Sequence, residues 1–301
     1  MSKLQLILVR GNKMNGVILK GIGGFYYVEV DGKIIECKAR GRFRNENIKP
    51  FVGDNVSVDV EKGYILEINE RKNNLLRPSV ANVGRAIIVL SALNPPVNLN
   101  LLDKFIISFY KNNIDVAVCI NKCDLIDIGD YKNINDSYSK IGIPVFFTST
   151  KQIDTVEELK SYISNINGIT IFSGQSGVGK SSLLNAILPS LSLETGNISE
   201  KLKRGKHTTR HVELFHMGRG YLADTPGFSS IDISSIDYKE IKNYYMDFVK
   251  FEDDCSFFGC SHINEPESKC AVKRAVSDGK IDLGHYERYV EIYKELKLTQ
   301  E

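Results

Sequence analysis

The feature that most restricts the fold of this chain is a glycine-rich octapeptide between an apolar run and a helix-forming run. Its residues, Gly-Gln-Ser-Gly-Val-Gly-Lys-Ser, span Gly174–Ser181 and match the phosphate-binding loop pattern G-x-x-x-x-G-K-S. Ile169–Phe172 before it reads as a buried strand, and Lys180–Ile187 after it reads as a helix. Strands and helices alternate on both sides, which predicts an α/β domain with a mainly parallel sheet.

The residue types of this loop suit the phosphates of a nucleotide. Glycines let the backbone wrap closely, so that successive N–H groups and the helix N-terminus point toward phosphate oxygens. Lys180 is expected to reach the β- and γ-phosphates as a catalytic group, and Ser181 is expected to ligate magnesium. A glycine-rich turn without a ligand is the alternative. The expected nucleotide contacts are Gly174, Gln175, Ser176, Gly177, Val178, Gly179, Lys180, Ser181 and Ser182.

A second polar segment, Asn121–Asp124, directly follows the predicted strand Asp115–Ile120. A carboxylate there can accept from both N1–H and the exocyclic amine of guanine, so Asp124 is expected to select GTP over ATP. Asn121 could bond the acceptor edge of guanine or brace the phosphate loop, and Lys122 could lay its methylenes over the base plane. Asn-Lys-x-Asp is common by chance, and its pairing with a phosphate loop makes it informative.

Two further strand ends contain candidate nucleotide contacts. Thr148–Thr150, which includes Ser149, could offer a backbone N–H to guanine O6, although a plain strand end reads the same way. In Asp224–Gly227, Asp224 would hold magnesium through water and the N–H of Gly227 would sense the γ-phosphate. A strand-ending turn with Pro and Gly is the alternative for this segment.

The polar segment Gly196–His211 lies between the phosphate loop and Asp224 and is predicted to be a switch that nucleotide orders. Either Thr208 or Thr209 could complete the magnesium shell, and Thr209 is assigned to magnesium and to catalysis. A passive surface loop is the alternative.

Residues 1–72 have a different texture, with short β-branched and aromatic runs broken by Gly, Asp and Asn. Five or so strands in this length predict a small antiparallel barrel of the OB type, although an SH3-like barrel would read almost the same way. The segment holds 13 Lys/Arg against 9 Asp/Glu, a net charge of +4. Its basic cluster could contact phosphate backbones, or be a solvated loop without a partner. The residues assigned to RNA binding are Lys38, Arg40, Arg42 and Arg44.

Near the C-terminus, three cysteines and a histidine lie within sixteen residues, at Cys255, Cys260, His262 and Cys270. Three thiolates and an imidazole suit tetrahedral zinc, and four protein ligands leave no open position for a catalytic water. One structural zinc per chain is therefore predicted, with free buried cysteines as the alternative. His285 is a weaker spare ligand and is expected on the surface at a helix start.

Composition and charge exclude several other classes of protein. The chain of 301 residues is 42% apolar and 25% charged, which is typical of folded globular proteins rather than disordered ones. No apolar run approaches the roughly 18 residues of a membrane span, and the N-terminus lacks a secretory pattern, so we expect a cytoplasmic protein. Scattered cysteines in such a compartment do not form a disulfide framework.

The order of the motifs is the most informative point. Ordinary small GTPases have the phosphate loop first and the Asn-Lys-x-Asp segment late, whereas here Asn121–Asp124 precedes Gly174–Ser181. The sheet is therefore predicted to be wound in a circularly permuted order. The predicted domains are an OB-like β-barrel that binds RNA (1–72), a circularly permuted P-loop GTPase domain (73–235) and a helical zinc-binding domain (236–301).

This layout resembles the ribosome small-subunit-dependent GTPases, which are circularly permuted assembly factors with an N-terminal OB domain and a C-terminal zinc domain. The resemblance spans nearly the whole chain and includes Asn121–Asp124, Gly174–Ser182, Arg204–Thr209, Asp224–Gly227 and the Cys/His cluster. It implies GTP hydrolysis stimulated by the small ribosomal subunit during late maturation of that particle. The implied partners are GTP and GDP, magnesium with GTP, the small subunit and its rRNA, with no membrane and a monomeric chain.

The resemblance also bears on catalysis. Phe228 follows Asp224–Gly227 where many small GTPases have the glutamine that orients the attacking water, so hydrolysis cannot use that glutamine. The resemblance places a histidine at the position of His207, which could orient the water or could be a docking residue. Two other functions remain open: a nucleotide-gated RNA-binding module with incidental hydrolysis, and a GTPase that serves a protein or membrane partner.

Overall fold

The computed structural model describes residues 13–41, 43, 48–76, 78–189, 212–224 and 231–301, and only the backbone of residues 128 and 130. The chain divides into two compact units. The first comprises described residues of Met1–Gly84, Asn165–Ile171 and Lys206–Pro226, and the second those of Arg85–Ser164, Phe172–Gly205 and Gly227–Glu301. The predicted domain boundaries after residues 72 and 235 stay predictions.

The strands and helices are numbered here in chain order. The strands are β1 (Lys13–Ile22), β2 (Phe25–Val30), β3 (Lys33–Ala39), β4 (Asn55–Asp59), β5 (Tyr64–Ile68), β6 (Asn74–Leu76), β7 (Ser79–Ala81), β8 (Val83–Ser91), β9 (Asp115–Asn121), β10 (Val145–Thr148), β11 (Ile169–Ser173), β12 (Glu213–Met217) and β13 (Gly220–Asp224). The α-helices are α1 (Leu99–Lys111), α2 (Lys132–Lys140), α3 (Ile153–Ser164), α4 (Lys180–Ile187), α5 (Met246–Glu252), α6 (Ala271–Ser277) and α7 (Leu283–Gln300).

In the first unit, β1 to β5 close into a barrel. β1 pairs antiparallel with both β2 and β4, while β2 pairs with β3 and β4 with β5. β3 runs parallel to β5, which closes the circle in the order β1-β2-β3-β5-β4-β1. This pairing is that of an OB-type barrel, so the predicted N-terminal fold is confirmed and the SH3-like alternative is not adopted.

Gly16 shows why one strand can pair on both sides. An added Cβ at this position would lie 2.3 Å from the carbonyl oxygen of Glu29 in β2, so only glycine allows the close approach. The barrel interior is filled by fully buried aliphatic side chains, namely Ile18, Val28, Val56, Val58 and Ile65. The same unit contains the β6–β7 hairpin, β11 parallel to β13, and β12 antiparallel to β13 and to β1.

The second unit contains the parallel strands β10-β9-β8, with α1 between β8 and β9, α2 between β9 and β10, and α3 after β10. Parallel strands covered by helices are buried on both faces, which explains the continuous apolar runs at Ala86–Leu90 and Val116–Ile120. The predicted α/β class is therefore confirmed. Helix α2 was not predicted, because its sequence is mostly polar and contributes one buried side chain, Tyr138.

The C-terminal part of the second unit is helical and packs on α1. Its core gathers Ile107 of α1 with Phe248 of α5 and with Tyr289 and Ile292 of α7. A 3-10 turn at Ile241–Tyr244 precedes α5 in this part of the chain.

His285 is a clear correction to the sequence prediction. It lies at the start of α7 as expected, but its side chain is buried and not on the surface. Its Nδ1 lies 2.9 Å from Asp247 of α5, so the imidazole is used inside the helical core.

Among the described residues, no helix combines the length and apolar character that crossing a membrane requires.

Candidate nucleotide site and metal centre

The phosphate loop begins where β11 ends, and two of its glycines are required by close contacts. Gly174 has φ +133°, and an added Cβ would lie 2.1 Å from the carbonyl oxygen of Val89 in β8. Gly179 has φ +96°, and an added Cβ would lie 2.3 Å from the amide nitrogen of Asn121. The loop therefore runs directly against the carboxyl ends of β8 and β9, where ligands bind in α/β sheets.

Lys180, the first residue of α4, folds back into the loop. Its Nζ donates to the carbonyl oxygens of Gly174 at 2.5 Å and Gln175 at 2.6 Å. Burial lowers the pKa of Lys180 to about 8, because few charges compensate for its lost hydration. Ser176, Gly177 and Ser181 are exposed on the open side of the loop, and Ser182 is half-buried.

Asn121 links the end of β9 to the phosphate loop. Its buried side chain donates from Nδ2 to the carbonyl oxygen of Val178 at 2.9 Å, and its Oδ1 accepts from the Thr148 hydroxyl at 3.2 Å. Of the two roles predicted for Asn121, the structure has the brace to the loop. Thr148 ends β10, so one amide ties together the ends of β9 and β10 and the loop.

Lys122 makes a second link across the same gap. It has φ +66° in the left-handed region, and its Nζ donates to the carbonyl oxygen of Gly177 at 2.7 Å and to that of Asn94. This conformation lays the aliphatic part of the side chain between Asn121–Asp124 and the phosphate loop.

Asp124 is held by two donors. It accepts from the Ser149 hydroxyl at 2.6 Å and from Lys151 Nζ at 2.7 Å. These hydrogen bonds hold the pKa of Asp124 below its usual value, so the carboxylate is ionised at neutral pH. Ser149, which the sequence placed at a strand end, therefore contacts Asp124 directly. Lys151 was missed, and its one sequence signal is its position three residues after the end of β10.

Several predicted residues lie elsewhere. Asp224 ends β13 in the first unit. Lys38 and Arg40 are exposed at the end of β3, and Arg40 lines a cavity of about 430 Å³ together with Tyr26, Phe43 and Lys49. The remaining predicted residues are outside the described part of the chain, and these are Arg42, Arg44, the switch segment Gly196–His211, which includes His207, Thr208 and Thr209, and Gly227.

The four cysteine and histidine residues converge into one cluster in the second unit. One ligand atom from each of Cys255, Cys260, His262 and Cys270 lies within 4.8 Å of all the others. His262 Nδ1 lies 3.8 Å from the Cys255 sulfur and 3.4 Å from that of Cys270. Tetrahedral zinc with ordinary bond lengths sets its N and S ligands roughly 3.6 Å apart, so the donor set fits such an ion.

His262 also fits a metal ligand in its protonation and its environment. Burial lowers its pKa to about 4, so the ring is neutral, which is the form that coordinates a metal. The residue has φ +59°, a strained conformation for a non-glycine residue that the surrounding structure must stabilise. Burial raises the pKa of Cys260 to about 12, so only a bound cation would make it a thiolate at neutral pH.

A phosphate loop braced by an Asn-Lys-x-Asp segment that precedes it in the chain defines a class of protein, the circularly permuted P-loop GTPases. Comparison with known proteins agrees. The family model of the RsgA GTPase matches residues 68–234, and that of the RsgA N-terminal domain matches residues 15–65. The structure called "YloQ, a circularly permuted GTPase" is 38% identical and has a TM-score of 0.81, covering 97% of this chain and 98% of that one.

Similar proteins extend the match over almost the whole chain. YjeQ from Thermotoga maritima is 36% identical with a TM-score of 0.80, covering 94% of this chain and 98% of that one. Proteins called "Small ribosomal subunit biogenesis GTPase RsgA" from Clostridium perfringens and Clostridium beijerinckii are each 46% identical over 94% of this chain and 98% and 97% of theirs. The chain belongs to the RsgA GTPase family and is a GTP-hydrolysing enzyme.

Proposed function

We propose that this chain couples GTP hydrolysis to binding of the small ribosomal subunit during late maturation of that particle. The observation that carries the proposal is the contact of Asn121 with Val178, which joins base recognition and the phosphate loop in one buried unit. The relatives named for small-subunit biogenesis supply the partner. We also propose that the chain acts as a cytoplasmic monomer with the three domains 1–72, 73–235 and 236–301.

In the nucleotide site, each residue has a separate task. Asp124, which Ser149 and Lys151 hold in place, accepts the two N–H donors of guanine. The loop amides and Lys180 bind the phosphates. Magnesium would supply charge neutralisation for the phosphates, with Ser181 and Thr209 as its oxygen ligands and Asp224 holding it through water. The amide of Gly227 would contact the γ-phosphate.

For the attacking water, we assign His207 as the positioning base, because Phe228 cannot orient it. His207→Ala should bind GTP and small subunits almost normally and lose subunit-stimulated hydrolysis. Stimulated turnover that persists at saturating subunit would contradict this role, and collapse of subunit binding would make His207 a docking residue.

In the C-terminal cluster, we assign one structural zinc. Three sulfurs and one imidazole favour zinc over oxygen-seeking cations, and four protein ligands exclude a water ligand. In the barrel, we assign Lys38 and Arg40, with Arg42 and Arg44, to phosphates of rRNA. Exposed cations near the half-buried ring of Tyr26 are a combination that suits unpaired RNA.

The test is the GTPase rate of the purified chain with added small subunits, large subunits or bare rRNA. We expect stimulation by small subunits alone, and binding that weakens as salt is raised. Lys38→Glu with Arg40→Glu should weaken subunit binding and reduce its salt dependence while intrinsic turnover is unchanged, and Lys132→Glu with Lys140→Glu on α2 is the matched control. Equal stimulation by both subunits, or none, would refute the proposed function.

A further inference from the structure

The metal cluster displays two phenylalanines on a short, fixed turn. Phe257 accepts a hydrogen bond from the Cys260 N–H at 3.2 Å, and Gly259 has φ +71°. These are the features of a type II turn over residues 257–260, in which Phe258 is the second residue and the third must tolerate positive φ. Both ends of the turn are anchored, since Cys255 and Cys260 belong to the cluster. In addition, the Ser256 N–H donates to the main-chain carbonyl oxygen of Lys269 at 2.9 Å.

The two rings of this turn, here called the aromatic apex (Phe257 and Phe258), point away from the protein core. Phe258 is fully exposed and Phe257 is 49% exposed, whereas Phe248 and Tyr289 nearby in the same helical part are buried. A single exposed apolar side chain is ordinary on a protein surface. Two adjacent aromatic rings on a rigid support are instead typical of the anchors that fill a partner's pocket, because little entropy is lost when they bind.

The charges around the apex select the kind of partner. Residues 252–268 contain five acids and no Lys or Arg. Glu252 pairs with Lys242, and Glu265 accepts from the N–H groups of Ser261 and Ile263, so these two acids are used within the fold. The other three are exposed, namely Asp253, Asp254 and Glu267. The exposed cations that flank these acids in the sequence are Lys250 before them and Lys269 after them.

This charge distribution disfavours RNA at the apex. Stacking Phe258 on a base would bring Asp253 and Asp254 toward a phosphate backbone, and like charges at an interface oppose association. A basic protein surface with an apolar pocket would gain from both the rings and the carboxylates. We infer that the aromatic apex docks into an apolar pocket of a basic protein surface. This inference uses the proposed function only in taking the small subunit as the particle that contains the partner.

The first test measures the affinity of full-length, metal-loaded protein for small subunits with a non-hydrolysable GTP analogue. Phe257→Ser with Phe258→Ser should weaken binding at least about tenfold, while metal content and basal GTP turnover are unchanged. Leu298→Ser, at another exposed apolar position near the end of α7, is the control and should bind as the unchanged protein does. Unchanged affinity of the double phenylalanine variant would overturn the inference.

The second test separates a protein partner from RNA. Asp253→Lys with Asp254→Lys should weaken binding to small subunits severalfold if the partner surface is basic. Tighter binding would mean that the apex faces RNA and would overturn the inference. A photoreactive phenylalanine at position 258 should cross-link to a subunit protein, and cross-links to rRNA or to a second copy of the chain would also overturn it. Unchanged protein that fails to bind small subunits would refute the proposed function together with this inference.

Discussion

The side-chain amide of Asn121 donates a 2.9 Å hydrogen bond to the main-chain carbonyl of Val178 in the phosphate loop. The other end of the same amide accepts from the Thr148 hydroxyl, so both of its polar atoms are used in a buried setting. Gly179, the next loop residue, leaves no space for a Cβ beside this amide. One buried amide therefore links the Asn121–Asp124 segment to the phosphate loop, although Asn121 and Val178 are more than fifty residues apart in the chain.

Asn121→Ala should weaken GTP and GDP binding about equally. The substitution leaves the Val178 carbonyl without its buried donor, while the Thr148 hydroxyl keeps its contact with Cys119. An unsatisfied buried carbonyl costs about 1–3 kcal/mol and would loosen the loop. We expect roughly tenfold weaker binding of both nucleotides by fluorescence titration. Asn133→Ala, on the exposed side of α2, is the control. A loss confined to GTP would argue against the brace, because the loop contacts both nucleotides.

Asp124→Asn should change which base is bound rather than abolish nucleotide binding. The carboxylate accepts from two donors of guanine, whereas an amide also presents donors of its own. Weaker GTP binding and a gain for xanthosine triphosphate are expected, since the exocyclic oxygen of xanthine can accept where guanine donates. Competition between the two nucleotides measures this, with Glu158→Gln as an exposed control. Unchanged GTP affinity would remove Asp124 from the base site.

Local motifs could be predicted from the sequence because their chemistry depends on fixed spacing. Gly174–Ser181 must have glycine where the backbone passes Val89 and Asn121, and the Cys/His ligands must be close in sequence to surround one ion. The α/β class followed in the same way from alternating apolar runs. These features depend on residues that are close in sequence, and not on contacts with distant parts of the chain.

Contacts between distant segments could not be predicted. His285 looks exposed in a polar helix start, and it is buried because Asp103 of α1 and Asp247 of α5 pack around it. Lys151 has no motif of its own and is defined by its contact with Asp124. The strand pairing of the OB barrel depends on the close approach of Gly16 to β2. The alternation of residues along the strands could not indicate this pairing, because an SH3-like barrel would show the same alternation.

Cys260→Ala should remove the metal and loosen the helical C-terminal part without abolishing nucleotide binding. Cys260 is buried in that core beside Phe248 and Tyr289, so loss of the ion would expose strained backbone at His262. Elemental analysis should fall from about one zinc per chain to a small fraction of that. Cys37→Ala, in the barrel, is the control and should keep its zinc. Chain prepared without chelator that contains no zinc would refute the assignment.

The affinity for GTP should fall as the pH rises through 8. The pKa of Lys180 is about 8 in the free protein, so the ammonium is mostly charged at pH 7 and mostly neutral at pH 9. Bound phosphates would require the charged form, so binding at high pH must take up a proton. We expect about tenfold weaker binding at pH 9 than at pH 7. Lys180→Arg keeps its charge over this range, so its GTP affinity should not fall between pH 7 and pH 9. An equal pH dependence of GTP affinity in the two proteins would contradict the prediction.

The stability of the helical C-terminal part should also decrease with rising pH, through His285. Burial opposes protonation of this ring, but the hydrogen bond from Nδ1 to Asp247 and the charges of Asp103 and Asp247 outweigh it and raise the pKa. Arg288 and Tyr138 also lie close to His285, since each of them donates a hydrogen bond of 2.5 Å to the Asp103 carboxylate. Among the described residues, Asp247 Oδ1 is buried without a hydrogen-bond partner, so the protonated ring is the main compensation for this carboxylate.

A histidine whose pKa is raised by folding stabilises the protein fully below its unfolded pKa of about 6.5, and this stabilisation is lost as the pH rises through the folded value. Thermal unfolding between pH 6 and pH 9 should therefore show a falling midpoint for the unchanged chain. His285→Gln can still hydrogen-bond but cannot be protonated. The unfolding midpoint of this variant should therefore be lower than that of the unchanged chain at pH 6 and should change little between pH 6 and pH 9. His216→Gln, an exposed histidine beside Glu29 in the first unit, is the control and should keep the slope. If His285→Gln kept the full pH dependence, the buried histidine would be neutral throughout, and Asp247 would need another source of compensation.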